Sequence, residues 1–308
     1  MVITAGIFYE RNDMDRKRTG IKKIEPYCYI APIAMILITF VIGSVIVSIE
    51  LGFTKYNIMG APVFQGLNNY KKLMSDSKFL KALKNTLELM VMIVPLQTFL
   101  SVVVATFLVA NRKRFLGKIA NSIIFIPVLC SNAVVGVVWR ELLNGKLPIV
   151  EKFFGLFGIE PSMLLGDAKT ALAVVAMVAI WKSLGYYVVI YSSGLLGISE
   201  TYYEAAKVDG AGRVKSFFMI TLPMLKPTLI LGIFLSITTS LQCFDLIFTM
   251  TGGGPNNAST TLVVYAYSKC FSSGAAGYAM AISNVLFVVI LIVALLQQRM
   301  IRRDASEI

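Results

Sequence analysis

The stretch LMVMIVPLQTFLSVVVATFLVA, residues 89–110, runs for 22 residues without a charge. The hydrocarbon core of a bilayer requires roughly 20 apolar residues for each helical span. The backbone polar groups of such a span must be satisfied within the segment itself, which favours an α-helix. The stretch lacks the alternation of polar and apolar residues that is typical of a membrane β-strand. It therefore predicts a transmembrane helix.

Apolar runs of similar length lie on both sides of this stretch, and we predict six spans. Their bounds are 27–49, 86–110, 119–139, 170–198, 227–250 and 278–298. The composition agrees, because 56% of the 308 residues are hydrophobic and only 15% are charged, whereas soluble domains carry about 25% charged residues. Pro95 and Pro127 lie inside spans and are expected to kink them. The predicted fold class is an all-α polytopic membrane protein with six transmembrane helices.

The basic residues predict the orientation of these spans. If residues 1–26 and the tail 300–308 are cytoplasmic, nine of the ten arginines fall on the inner side, and only Arg140 lies outside. Cytoplasmic segments of membrane proteins carry an excess of Lys and Arg. We therefore predict a multi-pass protein with both termini in the cytoplasm.

Composition also argues against several classes of function. The net charge of +12 does not indicate nucleic-acid binding, because the basic residues lie in short clusters between apolar runs rather than on one folded face. There is no histidine, and the four cysteines lack metal-ligand spacing. The predicted spans contain no nucleophile–base pair and no paired carboxylates. We predict neither a catalytic site nor a metal site.

The first outer loop combines lysines with apolar residues along positions 68–85. This pattern favours an amphipathic helix that lies on the membrane surface and leads into the second span. A solvated loop is the alternative. A second interfacial segment is expected at 260–271.

The loop at 199–223, which reads SETYYEAAKVDGAGRVKSFFMITLP, is the cytoplasmic loop with internal order. Thr201 and Glu204 have the spacing of a capping box, which predicts that a short helix begins there. Gly210 and Gly212 are expected to end this helix. A second short helix should follow, up to the proline at the end of the loop or the entry to the fifth span.

Small residues concentrate at the corner between these two helices. They would let a helix enter the groove of a soluble partner, while charged neighbours make oriented contacts. An ordinary surface hairpin would show the same small residues, so the physical pattern alone leaves both interpretations open.

Three motifs in this loop, Glu204-Ala205-Ala206, Asp209-Gly210-Ala211 and Leu222-Pro223, resemble the EAA loop of permease subunits of binding-protein-dependent ABC importers (type I importers). In that family the loop contains the coupling helix, which docks on the ATPase subunit. The resemblance implies that the residues in contact with the ATPase are Glu204, Ala205, Ala206, Asp209, Gly210, Ala211, Leu222 and Pro223.

Other stretches resemble the sugar-permease branch of that family, among them Gly66-Leu67-Asn68-Asn69-Tyr70, Trp181-Lys182-Ser183-Leu184-Gly185 and Thr251-Gly252-Gly253-Gly254-Pro255. The resemblance implies a bacterial inner-membrane complex with a second homologous permease, two ATPase subunits and an extracellular solute-binding protein that delivers a sugar. It implies no cofactor in this chain and places ATP and Mg²⁺ on the partner subunits. The sequence contains no P-loop. A permease for a polyol phosphate such as glycerol 3-phosphate and a stand-alone secondary transporter remain alternatives.

Ionisable residues inside spans are costly and are candidates for function. Lys182 lies near the middle of the fourth span, with Tyr187 just inward of it. Gln242 and Asp245 lie in the fifth span, on a stripe with Thr238 and Thr249 at helical spacing. We predict that Lys182, Tyr187, Gln242 and Asp245 line a substrate path. Packing between helices would also explain the polar stripe, and Lys182 and Asp245 either form a direct pair or open onto one wet cavity.

Overall fold

The structure is a computed structural model, and it describes residues 29–112, 114–145, 147–156, 158 and 160–306. The predicted N-terminal segment 1–26 lies outside the described residues. The last helix continues to Ser306, so most of the predicted tail prolongs the final span.

The first helix, α1, is Tyr29–Gly52 and contains a π-helical stretch at Ile38–Ile42. A two-stranded antiparallel hairpin follows, formed by β1 (Thr54–Lys55) and β2 (Val63–Phe64). The helices after it are α2 (Asn68–Ser75), α3 (Ser77–Ala110), α4 (Phe115–Leu129), α5 (Asn132–Leu143), α6 (Pro148–Gly155) and α7 (Pro161–Gly166). They are followed by α8 (Ala171–Leu196), α9 (Glu200–Val208), α10 (Arg213–Leu241), α11 (Asp245–Met250), α12 (Leu262–Tyr267) and α13 (Ala276–Ser306).

Within the described part of the chain, five helices are long and apolar enough to cross a bilayer: α1, α3, α8, α10 and α13. The pair α4 and α5 adds a sixth span if it is counted as one bent unit. The all-α polytopic fold class is therefore confirmed.

The third predicted span, 119–139, differs from the single helix that we expected. Helix α4 ends at Leu129, and α5 starts at Asn132 after a bend of 96°. Pro127 lies in the last turn of α4, where a proline removes a backbone donor and crowds the preceding turn. The expected kink is thus a complete break. Pro95, by contrast, lies inside the continuous helix α3.

The fifth predicted span, 227–250, also differs. Its helix α10 begins at Arg213, passes through a π-helical stretch at Phe217–Thr221 and ends at Leu241. Of the two expectations for Pro223, the entry to the fifth span is confirmed: it lies in the first turn after the π-helical stretch, where a missing N–H is tolerated. After residues 242–244 the chain forms the separate short helix α11.

The lysine-rich segment after β2 is helical, as the pattern predicts, and part of its apolar face packs against protein. Leu73 is only 1% exposed, and Phe79 and Ala82 are also buried. They pack against α12 and α13 in one apolar cluster. The segment at 260–271 is likewise packed into the protein, with Leu262 and Tyr265 buried. Both segments therefore contact protein on one side, while Leu80, Tyr267 and Phe271 remain exposed.

Asp76 connects α3 with α12 and α13 through hydrogen bonds. Its Oδ2 accepts hydrogen bonds from the hydroxyls of Tyr265 (2.6 Å) and Tyr278 (2.7 Å). Its Oδ1 caps α3 by accepting from the backbone N–H of Lys78 at 2.9 Å and Phe79 at 3.4 Å. Burial opposes ionisation of this carboxyl, but the hydrogen bonds prevail and hold the pKa of Asp76 below its ordinary value.

We expect Asp76→Ala to lower the thermal stability of the detergent-solubilised protein, because loss of the cap alone costs about 1 kcal/mol and both tyrosine hydroxyls lose their acceptor. Since the folded-state pKa is depressed, the stabilisation is complete above the ordinary pKa of an aspartate and is lost as the pH falls through the folded value. The control is Asp167→Ala, whose carboxylate accepts from the nearby N–H of Lys169. Equal melting curves for both variants at neutral pH would contradict this role.

Candidate functional site

A cavity of about 390 Å³ lies where two of the spans are broken. Asn132, at the start of α5, lines it beside the first break, and residues 242–245 line it at the second break. The remaining wall comes from α3, α4, α8 and the last turn of α10. Irregular backbone at membrane depth is tolerated where it lines a cavity, so the breaks and the cavity are explained together.

All four residues predicted for the substrate path line this one cavity: Lys182, Tyr187, Gln242 and Asp245. Tyr187 is buried, and its hydroxyl is 3.0 Å from Thr239 Oγ1. Gln242 and Asp245 are exposed in this chain, and Lys182 is half-buried. Their part in transport stays a prediction.

Lys182 and Asp245 share the cavity without forming an ion pair among the residues that the structure describes. The sequence left open a direct ion pair or a shared cavity, and the structure shows the shared cavity.

The helical stripe through Gln242 and Asp245 is not continuous, because α10 ends between Thr238 and Asp245. The Thr238 hydroxyl donates to Phe234 O at 3.0 Å, and the Thr249 hydroxyl donates to Asp245 O. Both threonines therefore satisfy their hydroxyls within their own helices, and neither lines the cavity. Gln242 and Asp245 do line one cavity, but the predicted reason, a continuous helical stripe, was wrong.

Sequence reasoning missed several polar residues of the cavity, namely Asn132, Ser183, Thr239 and Ser240. Ser183 is fixed by a hydrogen bond of 3.0 Å to Gln97 Oε1, and Gln97 is fully buried. Uncharged residues inside apolar runs give little signal. The nearby motif Trp181-Lys182-Ser183 was the available hint for Ser183.

Helices α5 and α11, which both contribute residues to the cavity wall, pack closely against each other. A side-chain carbon at Gly136 would collide with the Thr249 hydroxyl, so glycine is required for this approach. Arg140 Nη1 donates to Thr249 O at 3.2 Å, near the carboxyl end of α11, where a cation is favourable. The two short helices beyond the breaks therefore pack as one unit.

The predicted coupling loop lies at the other end of α8 and α10. Its first helix begins at Glu200 rather than at Thr201, and Ser199 is the N-cap, with its hydroxyl accepting from the N–H of Thr201 at 3.4 Å. The capping-box assignment was wrong, because Ser199 offers the same hydroxyl chemistry two residues earlier.

A Schellman motif ends this helix. The N–H of Ala211 donates to Ala206 O at 2.8 Å, and that of Gly210 donates to Lys207 O at 3.1 Å. Gly210 has φ of +75°, a conformation that glycine adopts without steric cost. The prediction that Gly210 ends this helix is therefore confirmed.

Small residues and apolar side chains of the loop are exposed on the surface of the chain. Glu204, Ala205, Asp209, Gly210 and Pro223 are exposed, while Ala206, Ala211 and Leu222 are half-buried. Val208 is 88% exposed and Tyr202 is 52% exposed. Sequence reasoning did not select Val208 or Tyr202, although exposed apolar groups on a polar loop are typical of protein contact surfaces.

Comparison with known proteins settles the family. Residues 97–303, about two thirds of the chain, match the family described as the binding-protein-dependent transport system inner membrane component. The chain belongs to this family. The match covers the cavity and the loop, so the resemblance inferred from the loop motifs is confirmed.

Several relatives of this permease are named as permeases of sugar-transport systems. The multiple sugar-binding transport system permease protein MsmF of Streptococcus mutans is 35% identical over 78% of this chain and 82% of its own length. The arabinooligosaccharides transport system permease protein AraP of Bacillus subtilis is 30% identical over 91% of this chain and 89% of its own length.

The fold of the permease is also found in a solved structure. A chain of a bacterial ABC transporter involved in the import of the acidic polysaccharide alginate superposes with a TM-score of 0.81, at 22% identity. The superposition covers 94% of this chain and 99% of that chain. At this identity the likeness concerns the fold.

Proposed function

We propose that this permease forms, with a second homologous permease, the translocation path for a sugar that an extracellular binding protein delivers, and that separate subunits hydrolyse the ATP. The observation that carries the proposal is that one pair of helices, α8 and α10, joins a polar cavity at membrane depth to an exposed helix–glycine–helix loop. Such a pair can transmit movement from the loop to the cavity.

The chemistry of the cavity suits a sugar. Hydroxyl and amide groups of Ser183, Thr239 and Gln242 can exchange hydrogen bonds with sugar hydroxyls. The rings of Tyr186 and Phe244 offer apolar faces to the C–H groups of a pyranose. A few polar groups set in an apolar wall are typical of small-molecule sites. The sugar-transport names of the relatives support the same substrate class.

The charges of the cavity favour an uncharged sugar over a polyol phosphate. Among the described residues that line the cavity, Lys182 and Asp245 carry the charges, so their formal charges cancel. A phosphate ester requires an excess of cationic donors, and Asp245 would repel it. Glycerol 3-phosphate is therefore the second candidate, to be tested as a competitor.

The proposed partners rest on the family and on one structural neighbour. The family is binding-protein-dependent by its description. The alginate transporter was also solved in complex with an alginate pentasaccharide-bound periplasmic protein, and its chain superposes with a TM-score of 0.79 at 21% identity. ATP and Mg²⁺ would be held by the ATPase subunits, which the exposed Ala205 and Val208 surface would contact.

Affinity purification of the tagged chain from its native membrane in mild detergent tests this assembly. We expect a second permease and an ATPase to copurify, and the complex in proteoliposomes to import a sugar when ATP and the binding protein are present. Excess glycerol 3-phosphate should not compete. Import by the chain alone, driven by an ion gradient, would replace the proposal with a secondary transporter.

The proposed orientation places the loop 199–223 and both termini in the cytoplasm. In a cysteine-free background, Lys207→Cys should resist an impermeant thiol reagent in intact cells and react in inside-out vesicles. Lys152→Cys, on the proposed outer side, is the matched control and should show the opposite pattern. Labelling of position 207 from outside would invert the topology.

A further inference from the structure

Two adjacent tyrosines on α9 point in different directions. Tyr202 is 52% exposed, whereas the ring of Tyr203 packs with Phe217 and Ile220 against the apolar cluster of α3, α8 and α10. The Tyr203 hydroxyl is 3.0 Å from Thr221 Oγ1. Thr221 is only 5% exposed, so this hydrogen bond is largely protected from water.

The bond spans the corner between α9 and α10. The covalent connection runs through Gly210 and Gly212, and a side-chain carbon at either glycine would have no heavy atom within 4 Å. Among the described residues, none therefore packs against these two glycine positions. An exposed ion pair of 3.7 Å between Glu200 and Arg112 also holds α9, but exposed pairs contribute little. The hydrogen bond between Tyr203 and Thr221 therefore links α9 to α10 directly, in addition to the chain that runs through the two glycines.

Thr221 also lies on the helix that lines the cavity. Thr239 is on the cavity wall, 18 residues further along α10, which is about 27 Å at the rise of an α-helix. Tyr187 on α8 is bonded to Thr239. A displacement of α9 that reaches Thr221 can therefore be passed along α10 to the cavity.

We propose that Tyr203 and Thr221 are positioning residues that fasten the coupling helix α9 to α10, so that movement of the ATPase reaches the cavity instead of being absorbed at the glycine corner. The inference rests on the proposed function, because it assumes that α9 contacts an ATPase. It assigns a role to two residues outside the EAA motifs.

Thr221→Val and Thr221→Ser separate the hydrogen bond from packing, since valine keeps the shape of threonine and serine keeps the hydroxyl. In the assembled complex in proteoliposomes, we measure ATP hydrolysed per sugar imported. Thr221→Val should raise this ratio about fivefold, the factor that corresponds to one hydrogen bond, and Thr221→Ser should remain close to wild type. Tyr203→Phe should match Thr221→Val, and the double variant should be no worse than either single variant.

Thr106→Val is the matched control, because it removes a half-buried hydroxyl that bonds Val102 O within its own helix. It should leave the ratio unchanged. A wild-type ratio in both Thr221→Val and Tyr203→Phe would overturn the proposal, and so would loss of ATPase copurification at normal membrane levels, which would make the bond part of docking. Failure of the wild-type chain to copurify with any ATPase would instead reject the proposed function.

Discussion

Ala205→Trp is expected to abolish transport while the chain still inserts into the membrane at normal levels. Ala205 is exposed on α9, so an indole there creates no clash within the chain and keeps helical backbone geometry. In the proposed complex, the same ring would prevent α9 from entering the groove of the ATPase subunit. A gap that costs more than about 1.4 kcal/mol weakens association tenfold or more. Copurification of the ATPase and ATP-dependent sugar uptake measure the effect.

Ala205→Ser is the control, because it changes the polarity of the site with little added volume, and it should retain transport. Position 205 is preferred to Gly210, where φ of +75° would strain any larger residue and confuse strain with bulk. Normal sugar-stimulated ATP hydrolysis by the Ala205→Trp complex would reject the assignment of α9 as the coupling helix.

Lys182→Met and Asp245→Asn should each lower sugar transport by about tenfold, the loss that corresponds to one hydrogen bond to a charged group. Because both residues line the cavity without an ion pair between them, their penalties should add, and the double variant should lose about a hundredfold. Independent sites add in this way, whereas paired charges show a coupling energy. Initial uptake rates at matched expression complete the double-mutant cycle.

Thr238→Val is the control for the cavity, since its hydroxyl bonds Phe234 O within α10, and it should transport normally. A double variant that transports better than either single variant would show that the two charges pair in the working complex. Wild-type transport in both single variants would remove Lys182 and Asp245 from the substrate path and leave their location unexplained.

Much of the membrane architecture can be predicted from the sequence, because hydrocarbon imposes a strong rule on composition. A stretch such as 89–110, without charge for the full thickness of a bilayer, has few alternatives to a helix. The end of α9 can also be predicted, because the residue that ends the helix must adopt positive φ and Gly210 does so without steric cost. The family could be inferred from the loop because its motifs keep a fixed spacing.

The breaks that form the cavity could not be derived in the same way. Residues 242–244 contain neither glycine nor proline, so nothing local distinguishes this break from the helix around it. Pro127 indicates a bend, but its size of 96° depends on how α5 packs against α11. The glycine at 136 and the carbonyl of Thr249, which are far apart in the sequence, determine that packing.

The sequence by itself singled out Lys182, Gln242 and Asp245, because ionisable and amide groups stand out in apolar runs. Tertiary structure alone decided that they line a single cavity with Asn132 and Ser183. It also decided that Tyr203, rather than Tyr202, turns inward to Thr221. Adjacent residues on a helix point about 100° apart, and only the packing of α9 against α10 selects which of the two is buried.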